Sequence, residues 1–216
     1  MRHVVETGST NADLLAAARH GAPDRTVIVA DHQTAGRGRL DRRWDAPPGV
    51  NLLASILFRQ VPAHPTELTR RVGLAALEAC HAVAAVDALL KWPNDVLLGE
   101  RKLAGILAQR AHDGSVVVGI GLNVGWAPDG AASLGAAAAP GDVLEALLRA
   151  YEGLPSDVTA RYRASLATLG RRITVHLPGR DVEGIAVDVE ADGRLVVLDD
   201  CAVTHRFDAG DVVHLR

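Results

Sequence analysis

Cysteine is scarce in this 216-residue chain: Cys80 and Cys201 stand alone and far apart. A disulfide or zinc framework needs more, so the pair reads as two reduced, buried thiols. Positive charge is not in excess. Basic residues number 23 against 26 acidic, a net charge of −3, so nothing global holds nucleic acid and any polyanion contact must be local. No run of about 18 apolar residues occurs, which argues against a membrane span. Residues 1–6 lack the apolar core of a secretory signal, and a cytoplasmic protein is expected. No phosphate-binding G-x-x-x-x-G-K-[ST] is present, and the nine histidines lack metal spacing such as H-E-x-x-H.

Lysine is nearly missing too. Of the 23 basic residues only Lys91 and Lys102 are lysine. Where arginine has replaced lysine almost everywhere, a lysine that remains marks a place suited to a compact ammonium on a flexible stem.

The apolar share of 48% is that of a folded protein. Residues 2–6 read as a strand, followed by helix-capping residues and a helix over 12–19. Strands are expected over 25–31 and 51–59, separated by a long loop. Leu68, Val72, Ala75, Ala79 and Val83 recur at helical spacing, which predicts a helix over 65–85. Further strands fall at 89–92, 96–98, 102–109 and 115–124, then helices at 142–153 and 156–169. Beyond residue 170 the texture changes to five short alternating strands with Gly or Asp turns, which predicts a small barrel. Two domains are expected, 1–169 and 170–216, the first mixed α and β, the second all β.

Four segments carry chemistry. Gly36-Arg37-Gly38-Arg39-Leu40-Asp41-Arg42-Arg43-Trp44 packs four arginines into seven residues. Arginine forks suit carboxylates and phosphates, and the glycines let backbone approach a ligand; a solvated basic loop is the plain alternative. Lys91-Trp92-Pro93-Asn94-Asp95 sets a cation, an amide and a carboxylate between two strands, where Asp95 suits a divalent cation or a hydroxyl; the alternative is a turn with a surface ion pair. Lys102-Leu103-Ala104-Gly105-Ile106-Leu107 opens a strand on lysine and interrupts it with glycine. Gly119-Ile120-Gly121-Leu122-Asn123-Val124 leaves one strand face bare, fit for tight packing or for the floor of a flat pocket, and fails the dinucleotide fingerprint at Val124. The two lysines are expected on adjacent strands, facing one anionic ligand. The residues alone say that the chain binds a small phosphate-bearing ligand and a carboxylate.

Taken in order, Glu6-Thr7-Gly8-Ser9-Thr10-Asn11, the GRGR-x-x-R-x-W loop, KWPND, KLAGIL and GIGLNV resemble the motifs of biotin–protein ligases, and Gly184-Ile185-Ala186 with Gly210-Asp211-Val212 extends the likeness to the C-terminus. The resemblance is to the short monofunctional type, without a DNA-binding domain. It implies an α+β fold: a class II aminoacyl-tRNA-synthetase-like mixed sheet with flanking helices, plus a small C-terminal SH3-like β-barrel. It implies that biotin and MgATP give biotinyl-5′-AMP and pyrophosphate, and that a lysine of a biotin carboxyl carrier protein domain then takes the biotinyl group. No nucleic-acid or membrane partner is implied, and the chain would act as a monomer or weak homodimer.

The same resemblance implies roles for individual residues. Ser9, Thr10, Asn11 and Gln33 would bind the ureido end of biotin, with Gly36, Arg37, Gly105 and Gly119 along it. Lys102 would contact the biotin carboxylate and then the adenylate. Arg37 and Arg39 would clamp phosphates in a loop that is disordered when empty. Trp44, Lys91, Asn94, Asp95, Leu122 and Asn123 would handle ATP, with Asp95 on Mg²⁺. Lys102, Arg37, Arg39 and Lys91 are the catalytic candidates. Asp41 stands where the family loop usually has glycine, and is expected to pin the empty loop or weaken its closure. Leu53 stands where an aromatic often covers biotin. The alternatives are a lipoate or octanoate ligase on the same scaffold, or a non-enzymatic biotin-binding regulator. The polar Ser9, Thr10 and Gln33 set suits a ureido ring better than a dithiolane.

Overall fold

Leu52–Phe58 carries seven apolar or small residues in a row, and all seven are buried, as a strand covered on both faces requires. It is the third strand, β3, of a seven-stranded sheet in the computed structural model, which describes residues 1–215 apart from the Asp41 side chain. The other strands are β1 (Arg2–Thr7), β2 (Val27–Gln33), β4 (Leu89–Lys91), β5 (Asp95–Leu98), β6 (Arg101–Arg110) and β7 (Val116–Leu122). Their order is β1-β2-β3-β7-β6-β5-β4; β1 and β2 run parallel and every other pair antiparallel.

Helices cover both faces. On one, α1 (Thr10–Arg19) sets Leu14 and Ala18 against Ile28, Leu57 and Val117. On the other lie α2 (Thr66–Ala84) and α3 (Pro140–Gly153). The α2 stripe of Leu68, Val72, Ala75 and Ala79 is buried in the main core, as its spacing predicts, together with Val143, Leu144 and Leu147 of α3.

The helix expected at 156–169 is shorter: α4 spans Thr159–Ala164. The chain beyond it is drawn to the sheet edge instead. Leu90 N–H donates to Ser165 O at 2.8 Å and Ala167 N–H to Leu90 O at 2.8 Å, so backbone pairing with β4 replaces further helical turns.

Five strands follow: β8 (Arg172–Leu177), β9 (Arg180–Val189), β10 (Leu195–Leu198), β11 (Thr204–Phe207) and β12 (Asp211–His214). They form an antiparallel sheet ordered β11-β10-β9-β8-β12. No ladder joins β11 to β12 among the described residues, so closure into the expected barrel is not seen. The β9–β10 turn is fastened to α2 and to the β4–β5 turn. Thr66 Oγ1 donates to Asp192 O at 2.7 Å, Arg70 Nη2 to Ala191 O at 2.9 Å, and Trp92 Nε1 to Gly193 O at 2.9 Å. These bonds fix where β12 stands relative to the first sheet.

Cys80 is buried in α2, but Cys201 is exposed in the β10–β11 turn, against expectation. Its apolar neighbours in sequence lie at a turn, where side chains point outward. Lys91 and Lys102 are not on adjacent strands, because β5 runs between β4 and β6. No helix among the described residues is long and apolar enough to cross a membrane.

Two outcomes follow from this packing. Leu14, 0% exposed, anchors α1, so Leu14→Ala should destabilise the protein by about 2–5 kcal/mol in urea unfolding; a loss under about 0.5 kcal/mol would mean that α1 packs otherwise. A thiol reagent should modify Cys201 alone in the folded protein, because burial pushes the Cys80 thiol up to about 12 and hides it.

Candidate active site

A cavity of about 260 Å³ opens where α1 begins, β2 ends and the β4–β5 turn faces β12. Ser9 is the N-cap of α1 in extended backbone, with no side-chain capping bond, so its hydroxyl is left to the cavity. Thr10 and Asn11, in the first turn, are nearly fully buried. Gln33, closing β2, accepts the Thr10 backbone N–H at 2.8 Å. Ser55 of β3, 0% exposed, lies 2.7 Å from Thr10 Oγ1 and donates to Asn11 Oδ1 at 2.6 Å. Asn11 Nδ2 donates to Leu107 O and Gln109 Oε1 of β6 at 3.2 and 2.8 Å. The motifs did not point to Ser55; a lone serine in an otherwise apolar strand was the available signal.

The floor is β6 and β7. A Cβ on Gly119 would overlap Asn11 Oδ1, and one on Gly121 would collide with the Trp44 ring. Both glycines therefore make room for side chains of the protein itself. Trp44 lies across Gly121 and Gly105, and its Nε1 is buried without a partner among the described residues. Lys102 Nζ stands 5.7 Å from the Trp44 ring centre.

The charged end holds Lys91, Asn94, Asp95, Lys102 and the arginine loop. Lys102 Nζ is 2.7 Å from Asp95 Oδ1, joining two groups for which separate roles are expected. The loop is docked on both sheets. Arg39 donates to Asn94 Oδ1 at 3.0 Å and to Gly210 O at 3.2 Å, Asn94 Nδ2 donates to Ile106 O at 3.0 Å, and Arg42 pairs with Asp211 at the start of β12. Burial lowers the Arg39 pKa. Burial pushes Asp211 up, but Arg42, then Lys91 and Arg39, outweigh it and hold its carboxyl below the usual range. Arg43 sits 3.8 Å from Asp45 and donates to Thr34 O at 3.4 Å. Arg37 lines the cavity with no ion pair or hydrogen bond of its side chain among the described residues.

Most sequence-chosen residues thus meet in one place: Ser9, Thr10, Asn11, Gln33, Arg37, Arg39, Trp44, Lys91, Asn94, Asp95, Lys102, Gly105, Gly119 and Asn123 all line this cavity. Two do not. Leu122 is 0% exposed and belongs to the main core, because strand alternation turns it to the face opposite Gly121. Gly36 stays off the lining and packs on the Trp44 backbone. Leu53 is buried and does not line the cavity, whereas its neighbour Ala54 does. Asn123 donates to Ala132 O at 3.0 Å, so its amide also holds the following loop. The expectation for Asp41 concerns a side chain outside the described residues. No group of three or more His, Cys, Asp or Glu among the described residues is arranged to hold a metal ion.

The chain matches known proteins in sequence and in fold. The family model described as "Biotin/lipoate A/B protein ligase family" matches residues 7–126, and "Biotin protein ligase C terminal domain" matches residues 168–215. The chain is 43% identical to the biotin--[acetyl-CoA-carboxylase] ligase of Mycobacterium tuberculosis, over 99% of this chain and 88% of that one. It is 33% identical to the corresponding ligase of Paracoccus denitrificans, over 77% and 74%. A solved structure of the biotin protein ligase from Aquifex aeolicus, in complex with biotin and ATP, superposes with a TM-score of 0.83 at 25% identity, covering 99% of this chain and 97% of that one.

His214 borders the charged end. Thr168 Oγ1 accepts the Trp92 backbone N–H at 3.0 Å and lies 3.2 Å from His214 Nε2. Burial, then the charges of Lys91 and Arg171, lower its pKa from 6.5 to about 4. The unfolded chain takes up a proton below about 6.5 that the folded chain refuses, so stability is full above that pH and falls toward pH 4. The thermal midpoint should drop across this window, and His214→Gln should flatten the drop; equal slopes in the two proteins would contradict it.

Proposed function

The chain belongs to the biotin/lipoate A/B protein ligase family, and on that premise we propose that it activates biotin with MgATP and hands it to a carrier protein. A biotin carboxylate oxygen attacks the α-phosphorus of ATP, the bond to the β,γ-phosphates breaks, and biotinyl-5′-AMP and pyrophosphate form. A lysine amine of a biotin carboxyl carrier protein domain of a biotin-dependent carboxylase then attacks the acyl carbon. AMP leaves and the amine loses its proton. The observation that carries the reading is that one cavity joins an uncharged polar end, Ser9, Thr10 and Gln33, to a cationic end, Arg37, Arg39, Lys91 and Lys102, across a glycine floor.

In this reading Ser9, Thr10 and Gln33 pair the urea, whose burial unpaired costs about 1–3 kcal/mol per group. Lys102 draws the carboxylate and the α-phosphate together, countering the charge that builds as they react. An incoming carboxylate must therefore share Lys102 with Asp95. Arg37, whose fork is uncommitted, takes phosphate, while Arg39, Arg42 and Asn94 hold the loop. Lys91 adds positive charge, and the unpaired Trp44 N–H offers a donor to the nucleotide. Asp95 would be the carboxylate that shares the Mg²⁺ of the nucleotide, in keeping with a hard cation held by few carboxylates plus phosphates, and the ion would supply neutralisation of phosphate charge. The enzyme needs no nucleophile of its own. Sealing the cavity matters, because an acyl-adenylate leaks to water.

The match of residues 168–215 to a biotin ligase C-terminal domain favours biotin over lipoate. The reading divides the chain into a catalytic unit, 1–169, of class II synthetase-like design and an SH3-like unit, 170–216. It goes with a cytoplasmic monomer or weak homodimer that has no nucleic-acid or membrane partner.

ATP–pyrophosphate exchange tests it. Exchange should require biotin, and Lys102→Ala should lower it by more than about 100-fold. Exchange that runs without biotin, or that survives in the variant, overturns the assignment.

A further inference from the structure

The hydrogen bonds at the start of α1 allow a proton count. Asn11 gives both amide hydrogens to β6, to Leu107 O and Gln109 Oε1. Its Oδ1 is thereby turned to Ser55, whose hydroxyl donates to it at 2.6 Å. A hydroxyl has one hydrogen, so Ser55 has none for Thr10 Oγ1, 2.7 Å away. That contact must use the Thr10 hydrogen. Thr10 Oγ1 also lies 3.1 Å from Gln33 Oε1. The amide end facing it is oxygen, because it already accepts the Thr10 backbone N–H. With the Thr10 hydrogen turned to Ser55, the two oxygens stand at the cavity wall with no hydrogen between them.

We propose that Ser55 is a positioning residue that sets the acid specificity of the site. By taking the Thr10 hydrogen it makes Thr10 Oγ1 and Gln33 Oε1 a paired acceptor, which a ligand N–H completes. Gln33 Nε2, unpaired among the described residues, supplies a donor next to it. A urea carries N–H groups beside a carbonyl and answers both; a dithiolane has neither and leaves two acceptors facing each other. Ser55 touches no ligand, being fully buried, and acts through Thr10. The relay also requires glycine at 119, since a Cβ there overlaps Asn11 Oδ1. The proposal rests on the ligase reading and adds what selects the acid.

Titration calorimetry of the full chain with biotin, desthiobiotin and ATP tests it without needing the reaction. Desthiobiotin keeps the urea and lacks the ring sulfur. Ser55→Ala should weaken both urea acids by ~10-fold, the effect of about one hydrogen bond, and leave ATP within about twofold. Thr10→Val should weaken the urea acids at least as much. The double variant should be no worse than Thr10→Val, because Ser55 works through Thr10. If Ser55→Ala does not fold, Ser55→Cys, with its weakly bonding thiol, reads the same ratio of urea acid to ATP affinity. Unchanged biotin affinity, an equal loss for ATP, or additive losses would each overturn the Ser55 role. Wild type that binds biotin but shows no pyrophosphate exchange would overturn the ligase reading instead and leave the calorimetric result standing.

Discussion

Asn11 ties the start of α1 to the middle of the large sheet, and the site's geometry depends on that tie. Its amide reaches Leu107 and Gln109 on β6 and receives Ser55 from β3, in space that exists because Gly119 has no side chain. A buried amide with an unmet group would cost about 1–3 kcal/mol, so the network holds as a unit or not at all. Fixing Asn11 fixes Thr10 beside it, and Thr10 in turn holds Gln33 at the end of β2. The first helical turn is thus a rigid polar wall. The hydrophobic packing of Leu14 and Ala18 behind it keeps the wall pressed to the sheet.

The other end of the cavity is built from charges that restrain one another. Lys102 rests on Asp95, Arg39 on Asn94 and the Gly210 carbonyl, and Arg42 on Asp211. The last two contacts bring the C-terminal sheet into the wall, and the β9–β10 turn, bonded to Thr66, Arg70 and Trp92, holds that sheet in register. Exposed ion pairs are worth only about 0–1 kcal/mol each, so the docked loop can yield to a polyanion that offers its arginines better partners. A firm wall for the acid and a yielding clamp for phosphates suit a reaction that must bind one substrate closely and later release AMP.

Much of this was legible in the chain. The α2 stripe, the unbroken apolar run of β3 and the alternating C-terminal strands announced their elements because burial on one or two faces leaves a period in the sequence. The two surviving lysines did meet in one cavity, although with β5 between their strands. What failed depended on partners distant in sequence. The helix after Ser156 stopped where β4 offered backbone pairing to residues 165–167. Leu122 looked like part of a glycine-rich floor, yet alternation buries it on the opposite face. Ser55 was hidden because a single hydroxyl in an apolar strand says nothing until its neighbours are known.

In the proposed reaction one cavity first adenylates an acid and then gives it to a single lysine of another protein. The direct measurement is to incubate the chain with biotin, MgATP and a biotin carboxyl carrier domain, and to locate the modified residue by mass spectrometry. One biotinylated lysine on the carrier, formed only when ATP is present, is the predicted result. No transfer, or biotin scattered over many lysines of any protein present, would contradict it.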